Sequence, residues 1–185
     1  MISPRSALYV AILPLLLAGC ASTPPGPLLD KGLPNFEQVD AHLFRGAKPL
    51  PAGYNELAKR GVATVIDFRK PGAGEEERLA TQKKDIQYIA EPMPGLSAPG
   101  KEAAGRVLSV MNDPERQPVF IHCRRGADRT GTMVALYRIT HDCWTAEKAI
   151  QEARAHGMSW VEFGMRRFIR NWYQEVQAQG CTPGD

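Results

Sequence analysis

One stretch of this sequence combines a nucleophile, small residues and a cation that grips oxyanions: His122-Cys123-Arg124-Arg125-Gly126-Ala127-Asp128-Arg129-Thr130-Gly131. It follows the apolar run Val119-Phe120-Ile121 and precedes a long apolar segment, so it reads as the turn from a buried strand into a helix. Backbone N–H groups in such a turn converge at a helix N-terminus and bind anions. Gly126 allows the tight turn, and Gly131 allows close packing. The positive field lowers a thiol's pKa, so Cys123 becomes the thiolate, which is the nucleophilic form. Arg129 returns over the same anion, where its planar guanidinium can hold two oxygens of a tetrahedral phosphate at once. Together these features describe phosphoryl transfer to sulfur. Arg124 and Arg125 add two more guanidinium groups, a density suited to a polyphosphorylated inositol or phosphoinositide. The alternative is that they face solvent or pair with Glu75–Glu77.

The segments around this turn alternate strand-like and helix-like patterns. His42-Leu43-Phe44-Arg45 is a short strand. Gly53 to Lys59 has helical spacing at Tyr54, Leu57 and Ala58. Val62 to Phe68 is β-branched and nearly continuous, as in a buried strand. Glu75-Glu76-Glu77 opens a helix whose positive end suits carboxylates. Ile86 to Ile89 is a further strand, and the proline-rich Glu91 to Pro99 is a loop. Lys101 to Met111 is an amphipathic helix ended by Asn112-Asp113-Pro114. Thr130 to Thr140 is apolar around most of its circumference and is expected at the centre. Thr145 caps a helix with Lys148 and Glu152 on its surface. Val161, Met165, Phe168, Ile169, Trp172 and Val176 form one core-facing stripe on a last helix. Alternating strands and helices predict an α/β fold, a mostly parallel central sheet of four to five strands flanked by helices.

The chain has 185 residues, with 23 Lys+Arg and 20 Asp+Glu for a net charge of +3. That length fits one domain. Hydrophobic residues at 43% and charged residues at 23% exclude a disordered chain. The charge is too small to point to nucleic acid. Four cysteines in such a chain do not make a disulfide scaffold. Cys143 and Cys181 both lie in turn-like segments at helix ends and make a possible disulfide.

The N-terminus reads as an address. Arg5 is the one charge before Asp30, and a short apolar run ends in Leu17-Ala18-Gly19-Cys20, the layout of a secretory signal peptide over 1–19. Leu-Ala-Gly-Cys resembles the bacterial lipobox, which implies cleavage before Cys20 and lipidation of its sulfur. Residues 20–34 then form the lipid anchor and a Pro-rich tether to a domain over 35–180. Ala21 rather than Asp, by resemblance to Gram-negative lipoproteins, favours the outer membrane, facing the periplasm.

The Cys123 loop resembles the Cys-x5-Arg loop of cysteine-dependent protein tyrosine phosphatases, in the His-Cys-x-x-Gly-x-x-Arg-Thr-Gly form of the dual-specificity group. Leu43 to Pro49, Gly61 to Arg69 and Tyr137-Arg138 extend the resemblance over most of residues 42–155, and Gly-x-Asp-Arg-Thr-Gly is most like bacterial and atypical members. The resemblance implies that Cys123 attacks phosphorus and forms a cysteinyl-phosphate. Arg129 binds phosphate and stabilises the transition state. The backbone from Arg124 through Gly126, Ala127 and Asp128 to Arg129 cradles the oxygens. Thr130 hydrogen-bonds the Cys123 sulfur, and His122 orders the loop. Arg45, Asp67, Arg69 and Arg138 form structural contacts behind it. No metal and no cofactor are implied, and no second Cys or His stands at ligand spacing to His122.

The general acid is the point of departure. Relatives carry an Asp on the loop that here runs from Glu91 to Pro99, where none occurs. Asp128 is one candidate for protonating the leaving oxygen and Glu91 another. The third reading is an enzyme without an acid that prefers good leaving groups. Asp128 has the alternative of a structural partner to a neighbouring basic group. The expected partners are a phosphorylated protein or a phosphoinositide or inositol phosphate substrate, and the membrane through Cys20. No nucleic acid is expected, and the chain is expected to be a monomer. A phosphate-binding module without turnover is the alternative to an enzyme. A rhodanese-like sulfurtransferase is disfavoured because its loop is shorter than the five residues between Cys123 and Arg129.

Overall fold

The computed structural model describes residues 31–181. The signal peptide expected over 1–19, Cys20 and most of the expected tether lie outside the described residues. Elements follow the order β1 Glu37–Gln38, β2 Leu43–Ala47, α1 Gly53–Lys59, β3 Thr64–Asp67, α2 Glu75–Gln82 and β4 Gln87–Ala90. They continue with α3 Lys101–Met111, β5 Val119–Cys123, α4 Asp128–His141, α5 Ala146–Ala155 and α6 Phe163–Ala178. The sheet order is β1-β2-β5-β3-β4, and only the β1–β2 pair is antiparallel. This is the mixed α/β architecture expected from the alternating segments.

Period-two alternation along the strands divides the core into two layers. Phe44, Val65 and Phe120 face one way and pack with Leu57 and Tyr54 of α1. Leu43, Ile66 and Ile121 face the other way, toward α3, α4 and α5. Each such side chain contributes about 1.5–3 kcal/mol when fully buried. Because β5 lies between β2 and β3 and is buried throughout, its C-terminal end is held on both sides. Helix α4, buried for most of its circumference, packs on α5 and α6.

Several details differ from expectation. Leu33 is fully buried, Ala47 N donates to Pro34 O at 2.8 Å and Leu50 N to Gly32 O at 2.9 Å. Residues 31–34 therefore belong to the domain rather than to a tether. Val161 is half exposed and precedes α6, so the stripe narrows to buried Met165 and Ile169 with Phe168, Trp172 and Val176 beside them. Thr145 does cap α5, accepting from Lys148 N. Glu152, however, turns inward to Arg138 at 3.0 Å, while Lys148 lies over the Trp144 ring. A largely covered guanidinium that needs acceptors displaces a surface pair that water can replace.

Cys143 and Cys181 are joined in a disulfide across a separation of 38 residues, tying the end of α4 to the end of α6. Closing a loop of that length removes unfolded-state entropy equivalent to about 4 kcal/mol. Reduction, or Cys143→Ser with Cys181→Ser, is expected to lower the thermal midpoint by roughly 8–16 °C. An unchanged midpoint in differential scanning calorimetry would show that the bridge contributes nothing to stability.

Candidate active site

Residues 124–127 alone join β5 to α4, a short strand-to-helix turn. Alternation on β5 places His122 and Cys123 on opposite faces. His122 stacks on Phe120 with ring centroids 5.6 Å apart, and Cys123 falls in the layer of α4. His122 therefore cannot reach a substrate held at Cys123. Its Nδ1 lies 3.2 Å from Cys123 O and its Nε2 lies 2.9 Å from Glu77 Oε1. It braces the loop from behind.

Cys123 is 2% exposed and is the free cysteine among the described residues. Burial pushes its thiol pKa up. The Thr130 hydroxyl, the backbone N–H groups of Thr130 and Arg125 and the Arg129 charge pull it down, and the net result lies below the ordinary thiol value. Three donors and one nearby positive charge together outweigh desolvation because they favour the charged form of the sulfur. The Thr130 hydroxyl oxygen is itself fully buried, with no nitrogen or oxygen partner. Thr130→Ala is expected to raise the thiol pKa, so the thiolate fraction on the acid side falls. The acid limb of Cys123 alkylation by iodoacetamide then moves to higher pH, and Thr130→Ser restores it. An unshifted limb in the alanine variant would exclude the hydroxyl from this role.

Arg129 is fixed by a hydrogen bond from Nη1 to Phe68 O of 2.9 Å. The end of β3 thus orients the guanidinium over the loop. Gly126 has φ +71, and its carbonyl accepts from Arg45 Nη2 at 2.9 Å. Arg45 is fully buried, its Nε and Nη1 have no hydrogen-bond partner, and burial pulls its pKa down to about 10. It lies under the loop as a second cation behind the thiolate, which is among the charges that hold it ionised.

A buried polar network backs the loop. Arg69 Nη2 sits 2.6 Å from both Asp67 Oδ2 and Glu77 Oε2, and Tyr88 donates to Asp67 Oδ2 at 2.7 Å. Burial raises the Asp67 pKa, but the Arg69 hydrogen bond and its neighbours outweigh it and hold the carboxyl below its ordinary value. Asp67, Glu77 and His122 are the described residues whose donors gather closely enough to hold a cation. Arg69 already supplies a cation between the two carboxylates. From the sequence, Glu77 is part of a helix start and one possible partner for Arg124 and Arg125. No spacing rule reveals that it points inward, because this is decided by how α2 packs on β3 and β4. Arg138, expected behind the loop, instead binds Val39 O, Asp142 and Glu152 at the far end of α4. A residue ten positions into a helix is carried about 15 Å from its start.

The acid candidates are both engaged. Asp128 Oδ2 accepts from Arg125 Nη2 at 2.5 Å, and Oδ1 accepts from Ser159 N at 2.8 Å. Glu91 pairs with Arg106 at 2.7 Å. Arg125 finds Asp128 rather than Glu75–Glu77, since Glu75 takes Arg78 and Glu77 takes Arg69. Arg124 and Arg125 are both exposed beside the loop. Asn35, which the sequence reading passed over, donates to Arg125 O and to His156 O, both at 3.1 Å.

A cysteine and an arginine facing one anion nest at the end of a central parallel strand define the loop and fold of cysteine-dependent, dual-specificity phosphatase-like proteins. The chain belongs to the family described as DSP-PTPase phosphatase fused to NAD+ kinase, whose model matches residues 30–171. The dual specificity protein phosphatase TpbA of Pseudomonas aeruginosa is 29% identical over 133 residues, covering 71% of this chain and 58% of that protein. The chain thus spans little more than half the length of this relative. Inositol diphosphatase DSP5 of Arabidopsis thaliana is 24% identical over 144 residues, covering 75% of this chain and 70% of that one. The solved catalytic core of the PP-IP phosphatase SIW14 from S. cerevisiae shares the fold, with TM-score 0.68 and 18% identity, covering 80% of this chain and 94% of that one.

Proposed function

We propose that this chain is a phosphomonoester hydrolase acting through a cysteinyl-phosphate, held at the bacterial envelope by a lipid on Cys20. The observation that carries the reading is the seating of the free, buried Cys123 thiol, which Thr130, the loop N–H groups and the Arg129 charge pull below its ordinary pKa. In the first step the sulfur attacks phosphorus, the S–P bond forms and the P–O bond to the leaving group breaks. The departing oxygen takes a proton. In the second step water attacks phosphorus, the S–P bond breaks and the thiolate returns, with phosphate released. Arg129 and the loop N–H groups hold the equatorial oxygens throughout, which is the electrostatic share of the catalysis. Substrates are phosphorylated proteins or inositol phosphates and phosphoinositides, and a monomer suffices for the site. Burial of Cys123 limits oxidation in an oxidising compartment.

Asp128 remains the leading candidate for the acid. It must leave Arg125 to serve. Asp128→Asn is expected to slow alkyl phosphate hydrolysis about 10²-fold while aryl phosphates with good leaving groups lose much less. Equal losses on both classes would leave Asp128 as a brace between Arg125 and Ser159. The engagement of both acid candidates favours a second reading, a phosphate-binding module without turnover. Phosphate release from phosphopeptides, inositol phosphates and phosphoinositides, run beside Cys123→Ser, separates the two. Binding without release by the wild type supports the second.

A further inference from the structure

The mouth of the candidate site has an apolar rim that nothing in phosphate chemistry requires. Trp160 and Phe163 are 68% and 65% exposed, and Leu96 is 88% exposed. They come from two separate stretches of chain, the loop before α3 and the segment leading into α6, that meet beside the Cys123 loop. Ser159 N is bonded to Asp128, and Gly157 lies close enough that an added Cβ would touch the Ala127 side chain. Across from it, Gly164 abuts the backbone of Ala98, two residues after Leu96. Arg166 lies among them, donating to the Trp160 backbone carbonyl at 2.6 Å and stacking over the Phe163 ring. Arg124 and Arg125 stand exposed on the adjoining loop.

Exposed Trp, Phe and Leu interleaved with arginine is the composition of a surface that sits in the headgroup layer of an anionic bilayer. The aromatic rings occupy the boundary between headgroups and acyl chains, and the guanidinium groups pair with lipid phosphates. The charges beside the rim, Arg124, Arg125 and Arg166, are all cationic, which matches an anionic lipid surface. The chain also enters the domain on this side, since Asn35 is bonded to Arg125 O beside the Cys123 loop. Cys20 precedes Lys31, where the domain begins, by eleven residues, an extended reach of at most about 40 Å. An anchor there leaves this face free to turn to the membrane.

We infer that the rim formed by Leu96, Trp160 and Phe163 docks on an anionic bilayer, so that the Cys123 loop takes a phosphorylated lipid headgroup from the membrane surface. This rests on the phosphomonoester reading above for its chemistry, but not for its docking. The test uses the full chain carrying Cys20→Ser, which cannot be acylated, so that the rim alone is read. The Trp160 signal is isolated by subtracting the spectrum of Trp160→Phe. Vesicles of brominated phosphatidylcholine with phosphatidylglycerol are expected to quench it, those without phosphatidylglycerol less, and Leu96→Asp should abolish the difference. In parallel, rates are compared on a phosphatidylinositol monophosphate in vesicles and on its deacylated, water-soluble form. The ratio of the two is expected to fall about tenfold or more in Leu96→Asp and in Trp160→Ala. Absence of quenching, or an unchanged ratio, overturns the proposal. So does a selective loss on a soluble phosphotyrosine peptide with the ratio intact, which would make the rim a peptide site. Quenching needs no turnover, so an inert chain that is quenched sinks only the hydrolase reading. An active chain that is not quenched sinks only the docking.

Discussion

Cys123→Ser is expected to abolish hydrolysis of p-nitrophenyl phosphate, with a loss of about 10⁴-fold or more in kcat. The serine hydroxyl is nearly isosteric, so the anion nest and the Arg129–Phe68 bond are retained. What is lost is the anionic nucleophile. The donors around position 123 pull a thiol below its ordinary pKa, but an alcohol starts so much higher that the same pull leaves it protonated. The variant should therefore still bind inorganic phosphate while releasing none. Steady-state rates and phosphate binding by calorimetry, measured on the same preparation under reducing conditions, decide it. Residual turnover near the wild-type rate would remove Cys123 from the chemistry. Equal inactivity of both proteins with intact binding would favour the non-catalytic module.

The second large effect falls on Gly126. Its φ of +71 costs an L-residue about 1–2 kcal/mol by itself. A Cβ there would lie 2.5 Å from the carbonyl carbon and oxygen of Gly46 and 2.6 Å from Ala47 N, all backbone of β2. Strand β2 cannot retreat, because it is paired with β5 through five registered positions from Leu43 to Ala47. The loop must move instead, which breaks the Arg45 bond to the Gly126 carbonyl and leaves a buried guanidinium without its one acceptor. Gly126→Ala should lower stability by about 3–5 kcal/mol, the scale of an orphaned buried charge, and remove phosphate binding. Gly105 provides the contrast. It lies in α3 with open space around its Cβ position, so Gly105→Ala should stabilise by about 0.5–1 kcal/mol. Chemical denaturation of the two variants checks both signs, and a Gly126→Ala protein as stable as wild type would refute the packing argument.

Much of the fold was legible because its signals are local. The limits of α1 and α3 follow from side-chain spacing and from Asn112-Asp113-Pro114, which cannot continue a helix. Strands β3 and β5 declare themselves by runs of β-branched and aromatic residues. The Cys123 loop was legible for the same reason, since nucleophile, glycine and arginine are contiguous. The partners of charged residues were not. Glu152 and Lys148 look like a surface pair four residues apart, yet each finds a better partner in another element. Val161 continues an apolar period but lies before the helix begins, because the turn at Ser159 is committed to Asp128.

The sequence alone determined the nucleophile, the anion-binding turn, the α/β class and the family resemblance, because each is written within a few consecutive residues or in a short period. Tertiary structure alone decided what stands behind and around the loop. Asp67 of β3 and Glu77 of α2 reach His122, and Arg69 links the two carboxylates. Arg45 lies beneath Gly126, Asn35 ties the chain's entry to the loop, and the segment that carries Leu96 and Ala98 comes up to Gly164, next to Phe163. Side-chain pairing in a buried sheet is set by which strands become neighbours. The order β1-β2-β5-β3-β4 brings residues 45, 67 and 122 onto adjacent strands, a proximity that no spacing along the chain encodes.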